Sequence, residues 1–278
     1  MSINASDILI RDPFVILENG KYYLYGTTDM TGQGYETYRR FSVYCSDDLK
    51  TFEGPFVIFD ADKTDFWGEY NFWAPEVWKY KDKYYLIASF RSGTHSRAVD
   101  ILVASSPMGP FEPFTPAPLT PENWECLDGT LYIEDNKPYL IFCHEWLQVC
   151  DGEICAVQLA DDLSHPEGEP FLLFRASENT AVTDHRKGSV SKVTDGPFAQ
   201  NINGRIQMIW SSFIDGRYAI LEAESDSLHG TWKHSVVPIP FDGGHAMIFT
   251  DKKGDEYYAF HSPNRTPYER PVFFRKTR

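Results

Sequence analysis

Apolar residues along the chain fall into short alternating runs, and the runs come in pairs separated by turn residues. DPFVILENGKYYLYG, beginning at Asp12, is one run, an Asn-Gly turn and a second run. The layout returns in PEVWKYKDKYYLIAS around Glu76 and in LDGTLYIEDNKPYLIFC around Asp128. It returns again in TDGPFAQNINGRIQMIWSS around Asp195 and GGHAMIFTDKKGDEYYAFHS around His245. Period-two alternation in β-branched and aromatic runs, with Asn, Asp and Gly between them, predicts five β-hairpins. A second set of strands interleaves with these: FSVYCSDDLKTFEGP, VDILVASSPMGPFEP, CAVQLADDLSHPEGEP and AILEAESDSLHGTW.

Successive lead residues lie 64, 52, 67 and 50 positions apart. A hairpin from the first set and a strand pair from the second make a four-stranded unit of about 50–60 residues, the content of one propeller blade. No window longer than about 12 residues carries a helical period, and 18 Pro with 19 Gly punctuate the chain. The expected fold is therefore all-β, a single five-bladed β-propeller over residues 1–278. A β-sandwich of this length offers no reason for a five-part repeat. The fifth blade lacks a clear outer copy, and either the tail ERPVFFRK or the N-terminal DILI would complete it.

In a propeller the innermost strands surround one axis, so residues at equivalent ends converge on one mouth. Asp12, Glu76, Asp128, Asp195 and His245 are the expected occupants. Such a concentration of like charge opposes folding and requires some carboxyls to be protonated or paired. Paired carboxylates on a rigid scaffold suit glycosidic hydrolysis, where one activates water and another protonates the leaving oxygen. Phe14, Phe72, Trp73, Trp146 and Phe213 are candidates to stack on sugar rings, with packing between blades as the other reading of each.

The motifs RDPF at 11–14, FWAPEV at 72–77, LDGTLY at 127–132, TDGPF at 194–198 and GGH at 243–245 resemble the blade-opening motifs of glycoside hydrolase family 43. The resemblance runs over about residues 9–264 and implies a five-bladed propeller of inverting glycosidases acting on arabinose-, xylose- or galactose-containing material. It implies that Asp12 is the general base and that Asp128 orients the acid and raises its pKa. The family's acid is a Glu in an EGP motif, where this chain has Asp195-Gly196-Pro197. One methylene fewer withdraws the carboxyl by roughly 1.5 Å. Three readings follow: Asp195 is the acid, Glu145 in CHEW has taken the role, or the acid is lost. Glu76 is expected to shape the pocket or hold a ligand hydroxyl. His245 resembles the family's axial His, which implies a calcium ion or waters near it, with His245 a water-mediated ligand. Arg270 in ERP is a candidate to reach the pocket and offset its charge.

Lys and Arg number 26 against 40 Asp and Glu, a net charge of −14. That balance argues against nucleic acid and anionic membrane surfaces as partners. The five cysteines, Cys45, Cys126, Cys143, Cys150 and Cys155, form no C-x-x-C pair and read as free thiols. The opening MSINASDILIRD carries neither a basic nor an apolar leader region, so the expectation is a cytoplasmic protein with small oligosaccharides as substrates. The expected activity is an inverting exo-acting α-L-arabinofuranosidase or β-xylosidase-like one. An exo-galactosidase or endo-arabinanase of the same family and a non-catalytic sugar-binding propeller are the alternatives.

Overall fold

Five antiparallel sheets surround one axis in the computed structural model, which describes residues 2–29, 34–186, 188–239 and 242–276. The innermost strands are Arg11–Glu18, Tyr70–Tyr80, Cys126–Glu134, Asp195–Ile202 and Gly244–Thr250. Each turns back into a second strand: Lys21–Thr27, Lys83–Arg91, Lys137–His144, Arg205–Ile214 and Glu256–Ser262. Asn19-Gly20, Asp135-Asn136 and Asn203-Gly204 make three of these turns, with positive φ at both residues. That conformation matches the twist of flanking strands and is open to Asn, Asp and Gly at little steric cost.

The chain ends are used differently from one another. The tail Arg270–Arg275 pairs with Glu256–Ser262 as the third and outermost strand of the fifth blade, and Ser2–Asn4 adds a fifth strand outside Thr51–Asp60 in the first. The DILI segment is no strand of the fifth blade. It buries Ile8 and Ile10 completely, and the Ile10 amide donates to the Glu269 carbonyl at 3.3 Å. Neighbouring blades are cemented by apolar side chains. Between the first and second, Phe41, Phe59, Phe66, Phe72 and Phe90 form one aromatic cluster, with the Phe66 and Phe90 ring centroids 4.7 Å apart. Burying each such side chain stabilises the fold by about 1.5–3 kcal/mol.

Near its start every innermost strand carries one extra residue relative to its partner. The register breaks between Arg11 and Phe14, Trp73 and Glu76, Leu127 and Thr130, Asp195 and Phe198, and Gly244 and Met247. The first residue inside each bulge is left-handed: Asp12, Ala74, Asp128, Gly196 and His245, with φ between 46° and 56°. These five are the structurally equivalent positions, which corrects two of the lead residues. Glu76 lies two residues beyond the bulge position of its blade and Asp195 one residue before it. Aligning the repeats on their acids, instead of on the bulge, produced the offset.

Among the described residues the only α-helix is Trp146–Val149, and no helix is long and apolar enough to cross a membrane. All five cysteines are free; Cys150 is exposed and the other four are buried.

Candidate active site

The bulges hold their residues by hydrogen bonds from blade to blade. Opposite them, on the second strands, Thr27, Ser89, Cys143, Ser211 and His261 occupy equivalent registers. The Ala74 amide donates to Thr27 Oγ1 at 2.7 Å, the Asp128 amide to Ser89 Oγ at 2.9 Å and the His245 amide to Ser211 Oγ at 2.8 Å. The Asp12 amide donates to His261 Nδ1 at 3.2 Å. At the fifth junction the equivalent residue is Cys143, whose sulfur is a weak acceptor. There the Gly196 amide donates instead to Asp128 Oδ2 at 3.0 Å. The break in the ring thus fixes the Asp128 carboxyl. Gly196 carries no side chain for a related reason: a Cβ there would lie 2.7 Å from Cγ of the His245 ring.

At this end of the channel Arg11, Asp12, Thr27, Tyr35, Glu36, Trp73, Leu127, Asp128, Glu145, Trp146, Asp195, His245 and Thr266 line a cavity of about 290 Å³. Seven residues expected at the site meet here: Asp12, Trp73, Asp128, Glu145, Trp146, Asp195 and His245. Three do not. Phe72 is buried in the aromatic cluster between the first two blades. Glu76 lies deeper along its strand, where its Oε2 accepts from the Trp78 indole at 2.7 Å. Arg270 points elsewhere, with Nε donating to the Ser6 carbonyl and Nη1 to that of Glu269, both at 2.9 Å. The guanidinium at the cavity belongs to Arg11, whose Nη1 is 2.8 Å from the fully buried Glu269 carboxylate. Phe14 packs against Trp78 and Phe198, and Phe213 against His185 and Tyr218.

The carboxyls are pushed to opposite protonation states. Burial works against an ionised Asp12, but His245, Arg11 and the Thr27 hydroxyl outweigh it and hold its pKa below the usual value. Thr27 Oγ1 donates to Asp12 Oδ2 at 2.6 Å while receiving the Ala74 amide, so its proton is committed to Asp12. Burial drives the His261 pKa down to about 3. The ring is therefore neutral, Nε2 donating to Asn264 and Nδ1 accepting the Asp12 amide. His245 Nδ1 stands 3.3 Å from Asp12 Oδ1 and 3.7 Å from Asp128 Oδ2.

Asp128 and Asp195 share a hydrogen bond. Burial raises Asp128 to about 7, partly offset by that bond and by the Gly196 amide. Asp195 is raised well above the ordinary range by burial and by the adjacent Asp128, and its Oδ2 accepts the Tyr218 phenol at 2.7 Å. Two like charges so close do not both ionise, so the pair holds a proton at neutral pH. Glu145 is raised by burial, but it is ion-paired with the buried Arg97, which pulls the other way.

His245, expected as a water-mediated ligand, has the carboxylates of Asp12 and Asp128 beside it. Among the described residues no group of three or more His, Cys, Asp or Glu side chains is disposed to hold a metal ion. A hard cation needs six to eight oxygen ligands, and His245 presents Nδ1 to two carboxylates.

Arg11, Thr27, Tyr35, Glu36, Leu127 and Thr266 were not expected in the cavity. Arg11 stands inside the RDPF motif and Leu127 opens LDGTLY, so these two were accessible. Thr27 and His261, like the supporting Tyr218, take their places from register across strands.

The family model for glycosyl hydrolases family 43 matches residues 7–278. The chain belongs to that family. Among solved structures it is similar to an endo-arabinase from Bacteroides thetaiotaomicron VPI-5482, at 40% identity and a TM-score of 0.91, covering 99% of this chain and 97% of that one. An endo-1,4-beta-xylanase from the same organism has 24% identity and a TM-score of 0.78, with 100% and 97% covered. An alpha-L-arabinofuranosidase from Lactobacillus brevis has 17% identity and a TM-score of 0.76, with 99% and 94% covered. The last two establish likeness of fold alone. No curated protein matches the chain. The protein is a glycoside hydrolase and its substrate a carbohydrate.

Proposed function

We propose that the protein hydrolyses α-L-arabinofuranosyl linkages in short oligosaccharides with inversion at the anomeric carbon, Asp12 acting as base and Asp195 as acid. The observation that carries the roles is the opposed titration of two carboxyls lining one cavity, Asp12 held ionised and Asp195 held protonated. An acid and a base set apart by their surroundings is how two carboxyls divide this chemistry. Inversion further requires the two roughly 6.5–9.5 Å apart, with a water beside the base.

In this mechanism Asp195 gives its proton to the glycosidic oxygen as the C–O bond breaks. Water attacks the anomeric carbon from the opposite face and loses a proton to Asp12. Asp12 Oδ2 is committed to Thr27, which leaves Oδ1, beside His245, to receive it. The Tyr218 phenol stabilises the Asp195 carboxylate left behind. The nearby Asp128 keeps Asp195 protonated until the leaving oxygen arrives. Trp73 and Trp146 offer apolar ring faces, and Glu145, paired with Arg97, accepts a sugar hydroxyl.

Arabinose is favoured by the 40% identity to a protein titled endo-arabinase. Exo action on short chains is favoured by the cavity's volume, at the small end of ligand pockets. The same likeness favours endo action as the second reading. Proton NMR of the first product from an arabino-oligosaccharide tests the main claim: β-arabinose appearing first is expected, and α-arabinose first would refute inversion. Turnover of aryl xyloside with none of aryl arabinofuranoside would refute the sugar. Debranched arabinan then separates the modes, exo action releasing a single small product and endo action a ladder.

A further inference from the structure

The second blade departs from the others. Its innermost strand has two register breaks, one between Trp73 and Glu76 and an additional one between Tyr70 and Trp73. The extra break lies at Asn71, which is buried and left-handed with φ 57°. Asn71 thereby turns its amide into a chain of polar groups. Its Nδ2 donates to Glu36, and its Oδ1 accepts from Arg97 Nη2 at 3.3 Å. Nη1 of the same guanidinium is bonded to Glu145. The guanidinium carbon also lies 4.6 Å from the centroid of the Trp73 ring.

Arg97 is 6% exposed and is not among the residues lining the cavity. Three of the residues in contact with it or with Asn71 do line it: Glu36, Trp73 and Glu145. A buried ion pair is weak evidence for stability, since apolar side chains of similar volume commonly do as well. A planar fork that bonds two partners and stacks on a third does something lysine cannot, fixing their relative orientation.

We infer that Arg97 is a positioning residue for substrate: it holds the Trp73 ring face and the Glu145 carboxylate in register so that one sugar ring meets both. The inference rests on the reading of this cavity as the hydrolytic site. It assigns Glu145 to gripping a sugar hydroxyl, with its charge maintained by Arg97. An acceptor fixed before the sugar arrives spares the ordering that binding otherwise requires.

The test uses whichever glycoside the wild type cleaves best. Arg97→Lys retains the charge and loses the fork, so KM should rise about tenfold with kcat within about threefold. Asn71→Gly keeps the left-handed backbone and cuts the second arm of the fork; it should move KM in the same direction by less. Arg97→Met strands Glu145 without a partner and should lose more than both. Thermal melts of all three variants accompany the kinetics. Wild-type KM in those two variants overturns the inference, as does a fall in kcat at constant KM. A KM rise that tracks the loss of melting temperature across the three variants also overturns it. If the wild type cleaves arabinofuranosides while these outcomes occur, the inference fails and the proposed function stands.

Discussion

The Tyr218 phenol donates a 2.7 Å hydrogen bond to Oδ2 of Asp195, a carboxyl that burial and Asp128 hold protonated. The phenol favours the ionised form, so, like His245, it opposes the burial and the neighbouring Asp128 that raise this pKa. Tyr218→Phe should therefore raise Asp195 further and move the alkaline limb of the kcat/KM profile to higher pH. A hydrogen bond to a charged group contributes about 1.5–3 kcal/mol, so kcat should fall by roughly tenfold to a hundredfold. An alkaline limb that stays in place would remove Asp195 from the role of acid.

Cys143 sits where the other blades carry a stronger acceptor, and the Gly196 amide goes to Asp128 for that reason. Cys143→Ser should draw the Gly196 amide toward the new hydroxyl. Asp128 then loses a donor that lowers its pKa of about 7. More of it becomes neutral, and its charge no longer raises Asp195. The alkaline limb should shift downward, opposite to the effect of Tyr218→Phe. An unchanged profile would mean that Asp128 does not govern Asp195.

Leaving-group dependence separates acid from base. Asp195→Asn should lose about 10²–10⁴-fold on oligosaccharides and far less on a dinitrophenyl glycoside, which needs no proton to depart. Asp12→Asn should be crippled on both. Should Glu145→Gln show that dependence and Asp195→Asn lack it, the acid is Glu145.

Glu76 makes stability depend on pH. Burial lifts it from an ordinary 4.5 to about 8 in the folded protein. Its contribution is fully present below about pH 4.5 and is lost as pH rises through 8. Over that window the loss is on the order of 5 kcal/mol at most. Glu76→Gln keeps an acceptor for the Trp78 indole and does not titrate. Between pH 5 and 9 the variant's melting temperature should fall less than that of the wild type, and parallel curves would contradict the assignment.

The hairpins were legible because turn chemistry is local: Asn19-Gly20 adopts its conformation whatever lies across the sheet. Asp12 and Asp128 were legible through their motifs. Glu76 was misplaced because the eye matches acid to acid, whereas the backbone matches Ala74-Pro75 to Asp12-Pro13 and Gly196-Pro197. Thr27, His261 and Tyr218 carry no local signal. Each acts on a residue at least 15 positions away, through strand register or across a blade junction. Arg97 is harder still, since its meaning depends on an irregularity at Asn71 and on a carboxylate from the next blade.

Among the described residues the first and fifth blades share no strand, so the circle is sealed by side chains and by the amides of Ile10, Asp12 and Lys252, with Glu269 at the centre. Its carbonyl receives the Ile10 amide while its carboxylate grips Arg11 at the catalytic mouth. The seam that closes the circle therefore runs through the active site. A parting of the two end blades would pull Glu269 away from Arg11, and His245 and His261 away from Asp12, before any sheet unravelled. Catalysis is thus the first property to report that the circle has opened.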